Sequence, residues 1–289
     1  MKHIYLSLLL LLSLSLNAIS QKTADRFVTK NPNKTFIGAI MEKKSINQNE
    51  HLFVNAKLKP ITISFSISTE SITLIPSYEN MMNIISEKLK DSKALKTNYN
   101  FSSSVIELKS YDDLSWYFGQ DIDKEMFFGI TKEDTPAKTT AIVDITQTYF
   151  SIDMDMSTDG KIHTTDENVI DKANELIYIN SIEFGRKVTI IVESNLDYTN
   201  LQIAIKEALA NSEGTPMSKK SKEIIANSNI RIMILGNEKL TENHPDNIFA
   251  DIIEYFEKPI TFNDFGSPVY FRAAAVKDAS SYENTYSVK

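Results

Sequence analysis

Two stretches of this chain satisfy two repeat lengths at once, and few folds can make use of both. Between Leu108 and Asp123, the residues Leu114, Phe118 and Ile122 recur every fourth position and draw an apolar stripe down one face of a helix. Yet Leu114, Trp116, Phe118 and Ile122 also share one parity, with Ser115, Tyr117, Gly119 and Asp121 on the other, as a two-faced strand requires. The second stretch does the same. Leu201, Ile205 and Leu209 make a helical stripe, while Leu201, Ile203 and Ile205 alternate with Gln202, Ala204 and Lys206. An amphipathic helix produces such a pattern by accident often enough that either stretch alone predicts only a helix.

Composition narrows the classes of function. The chain has 289 residues, of which 42% are hydrophobic, enough for one large domain or two ordinary ones around a sizeable core. Its net charge of −7 is the wrong sign for a phosphate-backbone footprint, so no nucleic-acid partner is expected. With no cysteine there is no disulfide, thiolate nucleophile or zinc knuckle, and His3, His51, His163 and His244 are too far apart for a local two-histidine site. G-x-S-x-G, P-loop, dinucleotide and H-E-x-x-H motifs are absent, so no catalytic residue, cofactor or metal is assigned and an enzyme is not expected. Asp112-Asp113 reads as surface charge. Asp155-x-Ser157-x-Asp159-Gly160-x-Ile162 with Asp166 imitates a calcium loop, but Ser at the third position, Asp at the twelfth and a preceding strand favour a solvated acidic turn.

The start of the chain reads as a secretory signal: Lys2, the apolar run Ile4 to Leu16, then Ala18-Ile19-Ser20, with cleavage expected before Gln21. Residues 21–34, with Asn31-Pro32-Asn33, read as a flexible lead-in, and the globular part is expected to span 35–289. Ile61 to Ile67 alternates as a strand. Pro76 to Lys90 reads as a helix capped by Ser77, with Met81, Ile84, Ile85 and Leu89 on one face. Thr140 to Met156, Lys187 to Glu193 and Ile230 to Leu235 read as strands and Ile248 to Glu257 as a helix, giving an α+β class.

Five short runs then share an order. They are Phe36-Ile37-Gly38-Ala39-Ile40; Thr97-Asn98-Tyr99; Phe184-Gly185-Arg186-Lys187-Val188 leading to Glu193-Ser194; Asn227 to Leu235 with Gly236-Asn237; and Ser267-Pro268-Val269-Tyr270-Phe271 with Val276-Lys277-Asp278. In order and spacing, from about Thr35 to Ser287, they resemble motifs of the cholesterol-dependent cytolysins, a family of bacterial pore-forming toxins within the membrane-attack/perforin superfamily. The resemblance implies a bent, twisted central antiparallel sheet flanked by two helical clusters, here about 109–134 and 199–223, that open into membrane-spanning β-hairpins. Each is long enough for two strands of about 9 to 11 residues and a turn.

On that resemblance Leu114, Trp116, Phe118, Ile122, Phe128, Leu201, Ile203 and Ile205 are the membrane-inserting residues. Tyr99, Ile230, Gly236 and Asn237 belong to oligomerisation and the switch that frees the Ile230 edge. Ile230 stands where the family has an aromatic, and Asn237 where it has a second glycine. The family's C-terminal membrane-binding domain is expected to be missing, so the chain resembles a short component that relies on a longer cytolysin-like partner for attachment. It is expected to be a secreted soluble monomer that joins a homo- or hetero-oligomeric ring on a target lipid bilayer. A non-lytic binding or structural protein that keeps the fold is the alternative, and a hydrolase with a dispersed site is a more distant one.

Overall fold

Two long antiparallel strands organise the molecule, because each changes partner part-way along. The computed structural model describes residues 20–91, 100–155, 164–210, 216–235 and 248–288. Strands β1 (Ser20–Ala24), β2 (Phe27–Val28), β3 (Ile40–Glu42), β4 (Ile61–Phe65) and β5 (Ser68–Leu74) precede helix α1 (Tyr78–Asp91) and strand β6 (Asn100–Leu108). Short helices α2 (Ser115–Phe118) and α3 (Lys124–Phe128) lead into β7 (Thr139–Met154), and α4 (Glu167–Asp171) into β8 (Leu176–Ser194). Then come α5 (Tyr198–Ala210), α6 (Lys219–Ala226), β9 (Asn229–Leu235), α7 (Ile248–Glu257), β10 (Ser267–Ala275) and β11 (Asn284–Val288).

β7 and β8 pair from Thr139↔Ser194 to Asp153↔Ser181. On its other side β8 pairs with β10 up to Ser267↔Gly185 and with β9 from Lys187↔Leu235 onwards. β7 likewise pairs with β6 over Thr140–Thr148 and with β4 over Ile152–Met154. One end of the ladder is thus a four-stranded sheet β6-β7-β8-β9, and every pairing in it is antiparallel. Among the described residues β6 pairs only with β7 and β9 only with β8.

The exchange point is built from glycine. A Cβ on Gly185 would lie 1.9 Å from the Gln147 carbonyl oxygen, and one on Gly266, at φ +76°, would lie 2.1 Å from the Gly185 carbonyl oxygen. Only residues without a Cβ let three backbones meet this closely. A register shift between Thr148 and Phe150 lies beside the same point. Arg186, fully buried, fills the gap where β10 gives way to β9: its guanidinium donates to the carbonyls of Tyr255 and Lys258 (2.8 and 2.7 Å) and to Asp264 (3.1 Å).

Each face of the four-stranded sheet has its own core. Ala141, Val143, Ile145, Val188, Ile190, Val192 and Ile234 pack under α5, α6 and α7. On the opposite face Ile142, Ile191, Met233, Leu235 and Leu108 pack under the segment between β6 and β7. A third core lies at the other end of β7 and β8, where Ile61, Ile63 and Phe65 meet Met81, Ile85 and Leu89 of α1. Helix α1 has the predicted face, and Ser77 Oγ accepts the Asn80 amide at 3.0 Å.

Two expectations are corrected. Residues 21–34 are not a separate lead-in: β1 pairs with β11 from Ser20↔Val288 to Ala24↔Asn284, and β2 adds to β10. Their backbone donors and acceptors are taken up by the far end of the chain, a long-range pairing that polar composition does not reveal. The helical stripe over Leu108 to Asp123 is also not one helix, because Gly119, at φ +117°, ends α2 after one turn.

Gly185→Ala should destabilise the fold by more than the roughly 1–3 kcal/mol of ordinary overpacking, since the contact is backbone against backbone. Thermal unfolding of the variant measures this, and a variant as stable as the parent would show that the strands part freely there.

Candidate functional site

The segment between β6 and β7 is held folded by local caps. The Ser110 hydroxyl accepts the Asp112 amide (3.1 Å), and Asp113 accepts the amides of Lys109 and Ser110 (2.8 and 3.2 Å), closing a capping box over the 3₁₀ turn Tyr111–Leu114. Asp123 caps α3 through the Glu125 and Met126 amides (3.0 and 3.1 Å), and Gly129, left-handed at φ +63°, ends it. These short turns bring Leu114, Phe118, Ile122, Phe128 and Ile130 together on the sheet face of Ile142 and Ile191, with Phe118 edge-on to Phe128 at 5.5 Å. Trp116 is half-buried.

Three polar fastenings tie this segment to the body. The first is a catch from the loop after β3. Asn47 Oδ1 accepts the Gln120 amide (3.0 Å), the Asn47 carbonyl accepts the Asp121 amide (2.9 Å), and Asn49 Oδ1 accepts the Asp123 amide (2.6 Å). A Cβ on Gly119 would lie 2.6 Å from the Ile46 carbonyl oxygen, so glycine is needed for this approach. Lys30 orders the loop from behind by donating to the Ile46 carbonyl (2.7 Å) and to the Gln48 carbonyl. Burial pulls the Lys30 ammonium down to about 7. Buried His51 accepts the Lys30 amide (3.2 Å) and is depressed to about 3, by burial first and then by the Lys30 charge.

The second fastening is a charged latch. Glu193, at the end of β8, accepts the Tyr111 hydroxyl, Asn229 Nδ2 (2.7 Å) and Arg231 Nε (3.2 Å). Arg231 also donates to the Phe128 and Gly129 carbonyls (3.2 and 2.6 Å) and pairs with Asp134 (3.4 Å). Burial, reinforced by Glu193, raises the Tyr111 phenol; the Thr131 amide, reinforced by Arg231, lowers Asp134. The latch borders a polar cavity of about 230 Å³ that is also lined by Asn195 and Asn227. The third fastening is the β1–β11 ribbon. Lys22 lies 5.7 and 5.6 Å from the Trp116 and Tyr117 rings, and Asn284 exchanges side-chain bonds with Asn47 (3.3 and 3.0 Å).

The segment between β8 and β9 covers the other sheet face. Leu201, Ala204, Ile205 and Ala208 of α5 are buried against it, with Ile224 of α6. Tyr198 donates to the Val105 carbonyl (2.9 Å), and Ser218 caps α6. Ile203 is 48% exposed, on the outer side of α5. Ile230 is half-buried on β9. Tyr99, Gly236 and Asn237 lie outside the described residues, as does most of the acidic turn between Asp155 and Asp166.

Residues 9–285 match the sequence model of the thiol-activated cytolysin family. The chain belongs to the thiol-activated cytolysin family. Solved cytolysins share its fold: pneumolysin superposes with a TM-score of 0.72 at 15% identity, covering 93% of this chain and 62% of that one. A non-hemolytic pneumolysin from Streptococcus pneumoniae strain ST306 gives 0.68 at 16% identity, covering 93% and 64%, and the human-specific toxin intermedilysin 0.67 at 16%, covering 92% and 62%. The chain therefore spans less than two thirds of these proteins. A comparison with curated protein sequences finds no relative.

The cytolysin fold brings Leu114, Phe118, Ile122 and Phe128 into one cluster and keeps Leu201 and Ile205 in another, separated by the sheet. Asn47, Asn49, Lys30, Glu193 and Arg231 were not singled out as site residues from sequence. A buried Glu at the end of an apolar strand was the available signal for the latch; the asparagine catch left none. Among the described residues no helix is long and apolar enough to cross a membrane, which says nothing about crossing with strands. No group of His, Cys, Asp and Glu among them is placed to hold a metal.

Replacing Asn47 and Asn49 together by Ala should speed amide exchange across Gln120 to Met126 by about tenfold or more, while α1 and the third core keep their protection. Uniform exchange changes throughout the molecule would instead make the catch an ordinary part of the fold. A pH dependence follows from His51. Its folded value lies below the ordinary 6.5, so its contribution is complete above about pH 6.5 and is lost as the pH falls towards 3. Chemical denaturation across that window should show a shallower acid loss for His51→Phe than for the parent.

Proposed function

We propose that this cytolysin-family chain is a secreted, soluble monomer that assembles into a ring on a target membrane and converts its two segments, about 109–134 and 199–223, into transmembrane β-hairpins. No catalytic step is part of this reading. The observation that carries it is a coincidence of parity. Each segment joins two neighbouring antiparallel strands, β6 to β7 and β8 to β9, so it lies where a hairpin continuing those strands would grow. Straight continuation of the β6–β7 register puts even-numbered residues on the face of Ile142, and continuation of the β8–β9 register puts odd-numbered residues on the face of Ile191. Ile142 and Ile191 are directly paired. Leu114, Trp116, Phe118, Ile122 and Phe128 therefore fall on the same face as Leu201, Ile203 and Ile205, although in the folded monomer the two segments cover opposite faces.

One face would thus meet lipid and the other a wet lumen, with Ala204 and Gln202 on the lumen side. Asp112 shares the lipid-side parity but lies nearest the sheet, towards headgroup depth, where charge costs less; Lys132 and Asp134, opposite Trp116 and Leu114, share it too, as do Glu207, Glu213, Lys219 and Glu223 in the second segment. An unpaired hairpin in lipid would leave backbone groups unsatisfied at several kcal/mol each, so a closed ring is required. The β6 and β9 edges, with Tyr99 and Ile230, are the surfaces that would pair between subunits, and the turn at Gly236-Asn237 would free the β9 edge. We assign membrane attachment to a longer cytolysin-like partner, since the acidic net charge gives no attraction to anionic lipid.

A non-lytic role is the second reading, since a pneumolysin described as non-hemolytic has the same fold. Ile203 separates the two. Because its side chain is exposed in the monomer, Ile203→Asp should leave folding intact yet reduce dye release from vesicles, in the presence of the partner, by tenfold or more. Gln202→Asp, on the lumen parity, should release dye like the parent. Equal behaviour of the two variants removes the two-faced hairpins, and absence of any release by the parent with its partner favours the non-lytic reading.

A further inference from the structure

The first hairpin can be specified further than its existence, because the strands that would seed it are already in register. This step rests on the proposed conversion of the segment to a hairpin. β6 and β7 pair without a shift from Asn100↔Thr148 to Leu108↔Thr140. An antiparallel ladder extends by one residue on each strand at a time, so residue 109 would next meet 139, 110 would meet 138, and the two arms converge on Lys124. We propose that Asp123-Lys124-Glu125 is the tip of the first hairpin, and that its second arm presents Met126, Phe128 and Ile130 to lipid acyl chains.

Three observations support the assignment. The point of convergence falls in the charged run Asp123-Lys124-Glu125, whereas the midpoint of 109–134 falls between Asp121 and the apolar Ile122. Asp123 already holds a tight local turn by accepting the Glu125 and Met126 amides, a conformation that a hairpin tip can retain. The pairs created on the lipid side are Ile122 with Met126, Gln120 with Phe128 and Phe118 with Ile130, while Gly119 meets Gly129 on the lumen side.

The present surroundings of these residues make the assignment sharp. Met126 is 61% exposed, whereas Phe128 and Ile130 are buried against the sheet. Side chains that now lie in water and in protein would all come to lie in lipid. The catch also acquires a specific meaning: Asn49 holds the amide of Asp123 at the tip and Asn47 those of Gln120 and Asp121 just before it, so the part that must lead the way into the bilayer is fastened to the body.

The chain has no cysteine, so single cysteines can be labelled cleanly. Lys124→Cys, Met126→Cys, Phe127→Cys, Ile130→Cys and Thr131→Cys would each carry an environment-sensitive fluorophore. The full chain would be anchored by a C-terminal hexahistidine tag to phosphatidylcholine vesicles containing a nickel-chelating lipid. The expected result is a shift of emission to shorter wavelength at 126 and 130 and none at 127 and 131. The probe at 124 should be quenched by nitroxide-headgroup lipid confined to the inner leaflet and not by the same lipid confined to the outer leaflet. A shift phased on 127 and 131, or a probe at 124 that stays on the outer side while others enter lipid, overturns the tip and leaves the pore reading standing. If no probe enters lipid, the insertion reading falls and this assignment falls with it.

Discussion

Everything in this molecule hangs on the ladder between β7 and β8. Strands are stable only where their backbone groups are paired, and this ladder is long enough to supply pairs to two different sets of outer strands within one sheet. At one end it joins β4 and β10 to make a sheet that buries α1. At the other it carries β6 and β9, each paired on one side only among the described residues. The change of partner requires backbones to approach within a distance that excludes a Cβ, which is why Gly185 and Gly266 meet there. Arg186 then occupies the space between the two outer strands and seats the end of α7.

Buried charge is used in two ways. Lys187 lies within the ladder, bonded to Asp144, to the Tyr270 hydroxyl at 2.8 Å and to Thr146 at 3.3 Å, and none of these partners belongs to the segments that cover the four-stranded sheet. Removing either side of such a pair would strand the other in low dielectric, so it acts as a permanent part of the scaffold. Glu193 and Arg231 are as deeply involved, but four of the five groups they bond besides each other, Tyr111, Asp134 and the Phe128 and Gly129 carbonyls, lie on the segment between β6 and β7. The same chemistry is fixed in one place and divisible in the other.

That division bears on how the proposed conversion would be timed. Moving Leu114 or Phe118 from a protein core into lipid changes little, because acyl chains are about as apolar as the residues they would replace. Apolar burial against the sheet therefore stabilises the monomer in water without holding it back at a membrane. What must be given up are the cap at Ser110, the Asn47 and Asn49 bonds, and the bonds of Glu193 and Arg231 to Tyr111, Asp134 and the Phe128 and Gly129 carbonyls. Each is worth about 0.5–1.5 kcal/mol net, and more where a charge takes part. The barrier on this view is polar and local, and it is set by a few side chains far from the apolar stripes.

By itself the sequence determined the class, the strands β7 and β9, helix α7 and the two segments with double periodicity, because these depend on local alternation that each residue carries with it. It also held the motifs around Gly185 and Gly236 on which the family likeness rests. Tertiary structure decided the rest. That residues 20–24 and 27–28 are strands depends on β11 and β10, whose donors and acceptors lie at the other end of the chain. That Asn47 and Asn49 matter depends on where Gly119 lets a distant loop come close. And the shared face of Leu114 and Leu201 depends on Ile142 standing opposite Ile191, a register fixed by pairing between strands. Periodicity states which residues of a segment point the same way; only the ladder states whether two segments point the same way as each other.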